Sequence, residues 1–163
     1  MIIADANLIM YLFHESPLSA RARAVYEKDP DWVVPDLWKP EVLNALLGMM
    51  RAGYLTAQAA QDVADKSAEF LDNRTNPVDH RAVLHIAEKA GLTAYDACYV
   101  ALARDLNAIL VTEDRKIQHS SPDISLSMTD FLNRGKSGGL AKEKREGYRI
   151  RAKVDSAKRI RER

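Results

Sequence analysis

"LTAYDACYVALARDLNAILVTED", residues 92–114, is the stretch whose reading decides the fold. Thr93 followed three positions later by Asp96 is a relative of the capping box, in which a hydroxyl and a carboxylate satisfy the orphan amides of a helix start. The residues after it are almost wholly apolar, as expected of a helix buried on most sides. "NAILVT" then reads as a continuous apolar strand, the pattern of a strand covered on both faces. Two features remain over: Asp96 near the start of an apolar helix, and Asp114 at the end of the apolar run.

Outward from this stretch the same alternation recurs. "MIIADANLIMYLF" opens with a β-branched run that stops at Asp5 and then turns helical. "DWVVPD" is a second short buried strand, ended by Pro35. Between them Leu18, Ala22 and Val25 lie at helical spacing. "PEVLNALLGMMRAGYL" is helical, with Pro40 tolerated only in the opening turn, where its missing N–H matters least. Thr56 caps a helix whose Ala60, Val63, Ser67, Phe70 and Leu71 form one stripe. A turn is expected around Asn76–Pro77. A helix from about Asp79 follows, ended by Gly91 as its left-handed C′ residue. "ISLSM" and "TDFL" close the pattern. Short apolar strands separated by helices predict an α/β fold with a mainly parallel central sheet flanked by helices.

With 163 residues, 47% of them apolar and 29% charged, the chain is long enough for one sizeable core. No apolar run approaches the roughly 18 residues of a membrane span. The opening segment is not expected to be a secretory signal, because Asp5 and Asn7 interrupt it. The single cysteine, Cys98, permits no internal disulfide, which fits a cytoplasmic protein. Trp32, Trp38 and Cys98 are expected in packing roles, and Met49 and Met50 fit either a core or a partner surface. The four histidines show no zinc-ligand spacing.

The net charge of +1 hides an asymmetry. Residues 134–163 hold 12 of the 24 basic and 4 of the 23 acidic residues, giving +8, which leaves 12 and 19 in residues 1–133, or −7. Four glycines and few large apolar residues in the last segment mark a tail, not a continuing core. The expected organisation is a domain over 1–133 and a basic extension, partly disordered or helical, over 134–163.

The acids fall at corresponding places. Asp5 and Asp114 end strands; Glu41 and Asp96 sit in first turns of helices. In a parallel α/β sheet, strand C-termini and helix N-termini share the edge where ligands bind. Singly, each acid is explained as a cap or a turn former. Together, four acids from four distant segments predict convergence. Two like charges ~4 Å apart repel by about 4 kcal/mol at an effective dielectric near 20, so such a cluster calls for protonation or a cation. Oxygen ligands without His or Cys select Mg²⁺, with Mn²⁺ also suited. Such an ion can activate water and stabilise a departing phosphodiester oxygen, which is nuclease chemistry, although the residues alone also allow a phosphatase. Glu113, one residue before Asp114, should face away as a peripheral acid.

"IIADANLIMYLF", "PEVLNALL", "LTAYDACYVALA" and "AILVTEDRKI" together resemble the four motifs of PIN-domain ribonucleases, especially the VapC-type toxins of toxin–antitoxin pairs. The resemblance covers about residues 1–133. It implies that Asp5, Glu41, Asp96 and Asp114 are the catalytic, metal-binding acids, with Asn7 and Thr112 as accompanying polar residues. It further implies a Mg²⁺-dependent endoribonuclease, usually a homodimer, that acts on RNA and is silenced by a cognate antitoxin. It does not imply the tail. Alternatives within reach are a housekeeping RNA-processing nuclease and a non-catalytic RNA-binding or regulatory module. A haloacid-dehalogenase-like phosphatase would want a second aspartate two residues after Asp5, where this chain has Asn7.

Overall fold

The computed structural model describes residues 1–135. The extension expected from residue 134 onward therefore falls, beyond residue 135, outside the described residues. Met1–Leu132 form one compact unit.

Five strands make one all-parallel sheet in the order β3-β2-β1-β4-β5: β1 (Ile2–Ala4), β2 (Trp32–Pro35), β3 (Thr75–Asn76), β4 (Ile109–Val111) and β5 (Ser125–Leu126). The three central strands are the β-branched and aromatic runs of the sequence. Being covered on both faces, they carry no polar alternation. Their side chains divide by the two-residue period instead. Ile2, Ala4, Trp32, Val34 and Val111 enter one core, and Ile3, Val33 and Leu110 the other.

The first core is roofed by α1 (Ala6–Phe13), α2 (Ser19–Lys28), α3 (Trp38–Arg51) and α4 (Ala57–Leu71), with α8 (Met128–Asn133) at its margin. Phe13, Tyr26, Trp32 and Phe70 meet there edge to face, with ring centres 5.5–5.8 Å apart, the arrangement ring quadrupoles favour. Trp32 and Trp38 are both buried, as expected. The second core lies under α5 (His80–Ala90), α6 (Ala94–Asp105) and α7 (Arg115–Ser120). α6 lies between the sheet and α5, which is why its Ala97, Tyr99, Val100, Ala101, Leu102 and Ala103 are all buried. Helix, sheet and helix thus form three layers, with the parallel sheet flanked by helices as expected.

The local signals account for the boundaries. Thr56 accepts from the Ala59 amide at the start of α4, and Asp79 accepts from Arg81 at the start of α5. Gly91 ends α5 with φ 63°, a left-handed conformation that costs a residue with a Cβ. Thr93 and Asp96 complete the capping box of α6. Two elements depart from expectation. The turn expected at Asn76–Pro77 is the edge strand β3, because Thr75 and Asn76 pair with Val34 and Pro35. α7 was not expected at all: only its Ile117 is buried, so it shows no apolar stripe.

Candidate active site

The sheet order changes direction between β1 and β4. From β1 the chain builds β2 and β3 on one side, then returns to add β4 and β5 on the other. At such a switch point the connections leave in opposite directions and open a crevice beyond the strand ends. Asp5 follows the last residue of β1, and Thr112 follows the last residue of β4. The Asp5 amide donates to the Val111 carbonyl at 3.3 Å, so the two strand ends stay in register to their tips.

Asp5 is 6% exposed and Thr112 fully buried. The Thr112 hydroxyl donates to Asp5 Oδ2 at 2.6 Å and accepts from the Asp114 backbone amide at 2.9 Å. Asp114 in turn caps α7, its Oδ1 accepting from the amides of Lys116 and Ile117 at 2.7 and 3.0 Å. Asp96 Oδ2 accepts from the Thr93 hydroxyl at 2.7 Å and from its amide at 3.3 Å. Glu41, in the first turn of α3, accepts through Oε2 from the Tyr99 hydroxyl at 2.5 Å.

Electrostatics ties these groups together. Burial raises Asp5 from an ordinary 3.8 to about 6; Asp114 and Asp96 push it further in the same direction, while the bonds from Thr112 and the Ala6 amide pull it back. Burial likewise raises Glu41 from 4.5 to about 7, with Asp5 and Asp96 adding repulsion against the lowering effect of the Tyr99 bond. The structure therefore brings Asp96 and Asp114 within electrostatic reach of Asp5, and Asp5 and Asp96 within reach of Glu41. Tyr99 is raised above the ordinary phenol by burial first and by Glu41 second, so it remains a donor. No ion pair compensates any of the four acids among the described residues. Arg115 and Lys116 follow Asp114 directly, but both are exposed.

The donor set fits a hard divalent cation in kind. Among the described residues Glu41 Oε1, Asp96 Oδ1 and Asp114 Oδ2 accept no hydrogen bond, so each of these carboxylates has one oxygen anchored and one left over. Unlike-charge neutralisation would relieve the repulsion that adds to burial in raising Asp5 and Glu41. The acids stand near one another without closing: no three His, Cys, Asp or Glu side chains among the described residues are grouped tightly enough to hold an ion as they stand.

The other expected residues sort clearly. Asn7 is exposed, in the first turn of α1, with no bond to the acids. Glu113 points elsewhere and accepts from the Met128 amide at 2.9 Å, at the start of α8. Cys98 is half-buried and packs beside the second core. Tyr99 was missed by sequence reasoning, since on an apolar helix a tyrosine reads as core. Its signal is its position three residues after Asp96, one turn along the same face.

Comparison with known proteins gives the fold its relatives. Ribonuclease VapC3 of Pyrobaculum aerophilum is 29% identical over 124 residues, covering 74% of this chain and 95% of that protein. The crystal structure of PAE2754 from Pyrobaculum aerophilum superposes with a TM-score of 0.67 at 23% identity, covering 84% of this chain and 97% of that one. That of FitAcB from Neisseria gonorrhoeae gives 0.60 at 16% identity, covering 79% and 99%. The PIN domain model matches residues 2–121, so the three-layer fold has a family: this chain belongs to the PIN-domain proteins.

Proposed function

We propose that this chain is a divalent-metal-dependent endoribonuclease of the VapC type, with Asp5, Glu41, Asp96 and Asp114 as its catalytic acids. The observation that carries the reading is the pair of carboxylates raised by burial and by neighbouring acids, Asp5 at about 6 and Glu41 at about 7, with no ion pair among the described residues to offset them. The name of the VapC3 relative supports RNA as the substrate.

Asp5, Glu41, Asp96 and Asp114 would hold Mg²⁺, or Mn²⁺ in its place. When bound, such an ion supplies acidification of water and stabilisation of charge on the departing phosphodiester oxygen. Thr112 orients Asp5 and fixes the backbone of Asp114 relative to it. Thr93 fixes Asp96. Glu41, pushed to about 7, holds a proton below neutral pH and releases it when the surrounding charge is compensated. Exposed single strands and loops are the suited substrates, since the deep major groove and stacking of A-form duplex restrict access to the backbone.

The family resemblance supports three further assignments: a cognate antitoxin, a homodimer and a cytoplasmic location. An Arg or Lys of the antitoxin laid against the carboxylates would silence them by charge-assisted hydrogen bonds. No described helix is long and apolar enough to cross a membrane.

The test is cleavage of a structured RNA with and without Mg²⁺ or Mn²⁺, with the Asp96→Asn protein as control. Cuts that need the ion and vanish in the control support the reading; ion-independent cutting, or equal cutting by the control, overturns it. Co-purification with the product of an adjacent small gene, with activity restored on its removal, separates the toxin from a housekeeping nuclease.

A further inference from the structure

Each acid of the site has an oxygen engaged by a donor, and for three of them the donor is a threonine or a local backbone amide. Asp5 has Thr112, Asp96 has Thr93, and Asp114 has the first amides of α7. Glu41 has none of these. The start of α3 carries no side-chain cap, and the Glu41 side chain, with one torsion more than an aspartate, loses more rotamer freedom on being fixed.

Its donor comes from another helix, 58 residues away in sequence: the Tyr99 hydroxyl, 2.5 Å from Oε2. Tyr99 is 1% exposed, and a buried phenol needs a partner for its hydroxyl. Among the described residues that partner is Glu41. The placement follows from helical spacing: Tyr99 lies one turn beyond Asp96, so α6 presents an acid and the anchor of a second acid on one face.

We propose that Tyr99 is a positioning residue of the nuclease site, holding Glu41 Oε2 so that the carboxyl stays beside Asp5 and Asp96 with Oε1 left for a divalent cation. This rests on the nuclease reading above. Tyr99 touches neither ion nor RNA in this role. It acts through Glu41, as the outer partners of metal ligands do, and loss of such a partner commonly costs about 10–100-fold in affinity or activity.

The test is a double-mutant cycle of Tyr99→Phe and Glu41→Gln in the full chain, with two readouts taken below the melting temperature of every variant. One is Mn²⁺ affinity, followed by the electron paramagnetic resonance signal of the free ion; the other is RNA cleavage at saturating Mn²⁺. Tyr99→Phe keeps the ring and its packing and removes only the hydroxyl. The expected result is roughly tenfold weaker Mn²⁺ binding from Tyr99→Phe in the wild-type background and less than about twofold in the Glu41→Gln background. An equal loss in both backgrounds would make Tyr99 a packing residue and overturn the proposal. So would unchanged affinity in a chain whose wild type binds Mn²⁺ and cleaves RNA, and the nuclease reading would then stand without it. A wild type that neither binds Mn²⁺ nor cleaves RNA overturns both.

Discussion

The hydroxyl of Thr112 touches two acids of the site at once, donating to Asp5 Oδ2 at 2.6 Å and accepting from the Asp114 amide at 2.9 Å. Both bonds vanish in Thr112→Val, which keeps the shape of the side chain. We expect cleavage to fall about 10–100-fold, as for loss of other groups that orient metal ligands. Thr112→Ser should retain most activity. Equal rates for the Val and Ser proteins would remove Thr112 from the site.

Direct loss of an acid should cost more. In the proposed site, Asp5→Asn or Asp96→Asn removes a charge that would hold the ion, worth several kcal/mol of transition-state stabilisation, and each 1.4 kcal/mol is about tenfold. Cleavage should drop at least about 100-fold with the far-ultraviolet circular dichroism unchanged. Wild-type turnover in either purified variant would strike that residue from the catalytic set.

Asp5 also makes stability depend on pH. Its carboxyl rises from an ordinary 3.8 to about 6 on folding, so between those values the folded state binds a proton that the unfolded state has lost. Its contribution is full below about 4 and disappears as pH rises through about 6, a difference of about 3 kcal/mol at 1.4 kcal/mol per pH unit. Glu41 acts in the same direction up to about 7. In metal-free buffer, the melting temperature of wild type relative to Asp5→Asn should therefore fall from pH 4 to pH 7. A rising or flat difference would contradict the burial of a raised carboxylate.

A cation bound at the proposed site would offset this penalty at neutral pH. If Mn²⁺ binds only the folded chain, a hundredfold excess over Kd stabilises it by about 2.7 kcal/mol. Melts with and without Mn²⁺ should separate, and the gap should shrink in Asp96→Asn. Identical shifts in both proteins would locate the ion elsewhere.

Residues 134–163 carry +8 beside a body at −7. A basic segment of this kind raises encounter with a polyanion that the acidic body repels. Truncation after Asn133 should weaken RNA binding and flatten its dependence on salt, while cleavage at saturating RNA survives. Unchanged affinity and slope would leave the segment without a role in RNA binding.

What the sequence reveals and what it conceals divide along physical lines. β1, β2 and β4 are legible because burial on both faces demands unbroken apolar runs, and α4 to α6 because Thr56, Asp79, Gly91 and Thr93 mark their ends chemically. β3 is concealed because two residues, Thr75 and Asn76, become a strand only by pairing with β2. α7 is concealed because its start is set by the Asp114 side chain rather than by an apolar stripe. Placement at strand ends and helix starts let the four acids be read together, whereas the Tyr99 bond joins α6 to α3, and its spacing from Asp96 alone does not name Glu41 as the partner. Asn7 reads as a partner of Asp5 in the motif and stands exposed without a bond to it.

The bond between Thr112 and Asp5 spans 107 residues. Parallel pairing over such a separation is slow, because the chain must close a long loop before the contact rewards it. During synthesis, at about 5–20 residues per second, the first acid leaves the ribosome many seconds before its partner strand exists. The site thus waits on β4: a nascent or prematurely ended polypeptide lacking it has Asp5, and even Glu41 and Asp96, but no switch point to gather them. A site built this way carries a delay in its own topology: its crevice has no second wall until the fourth strand has been made.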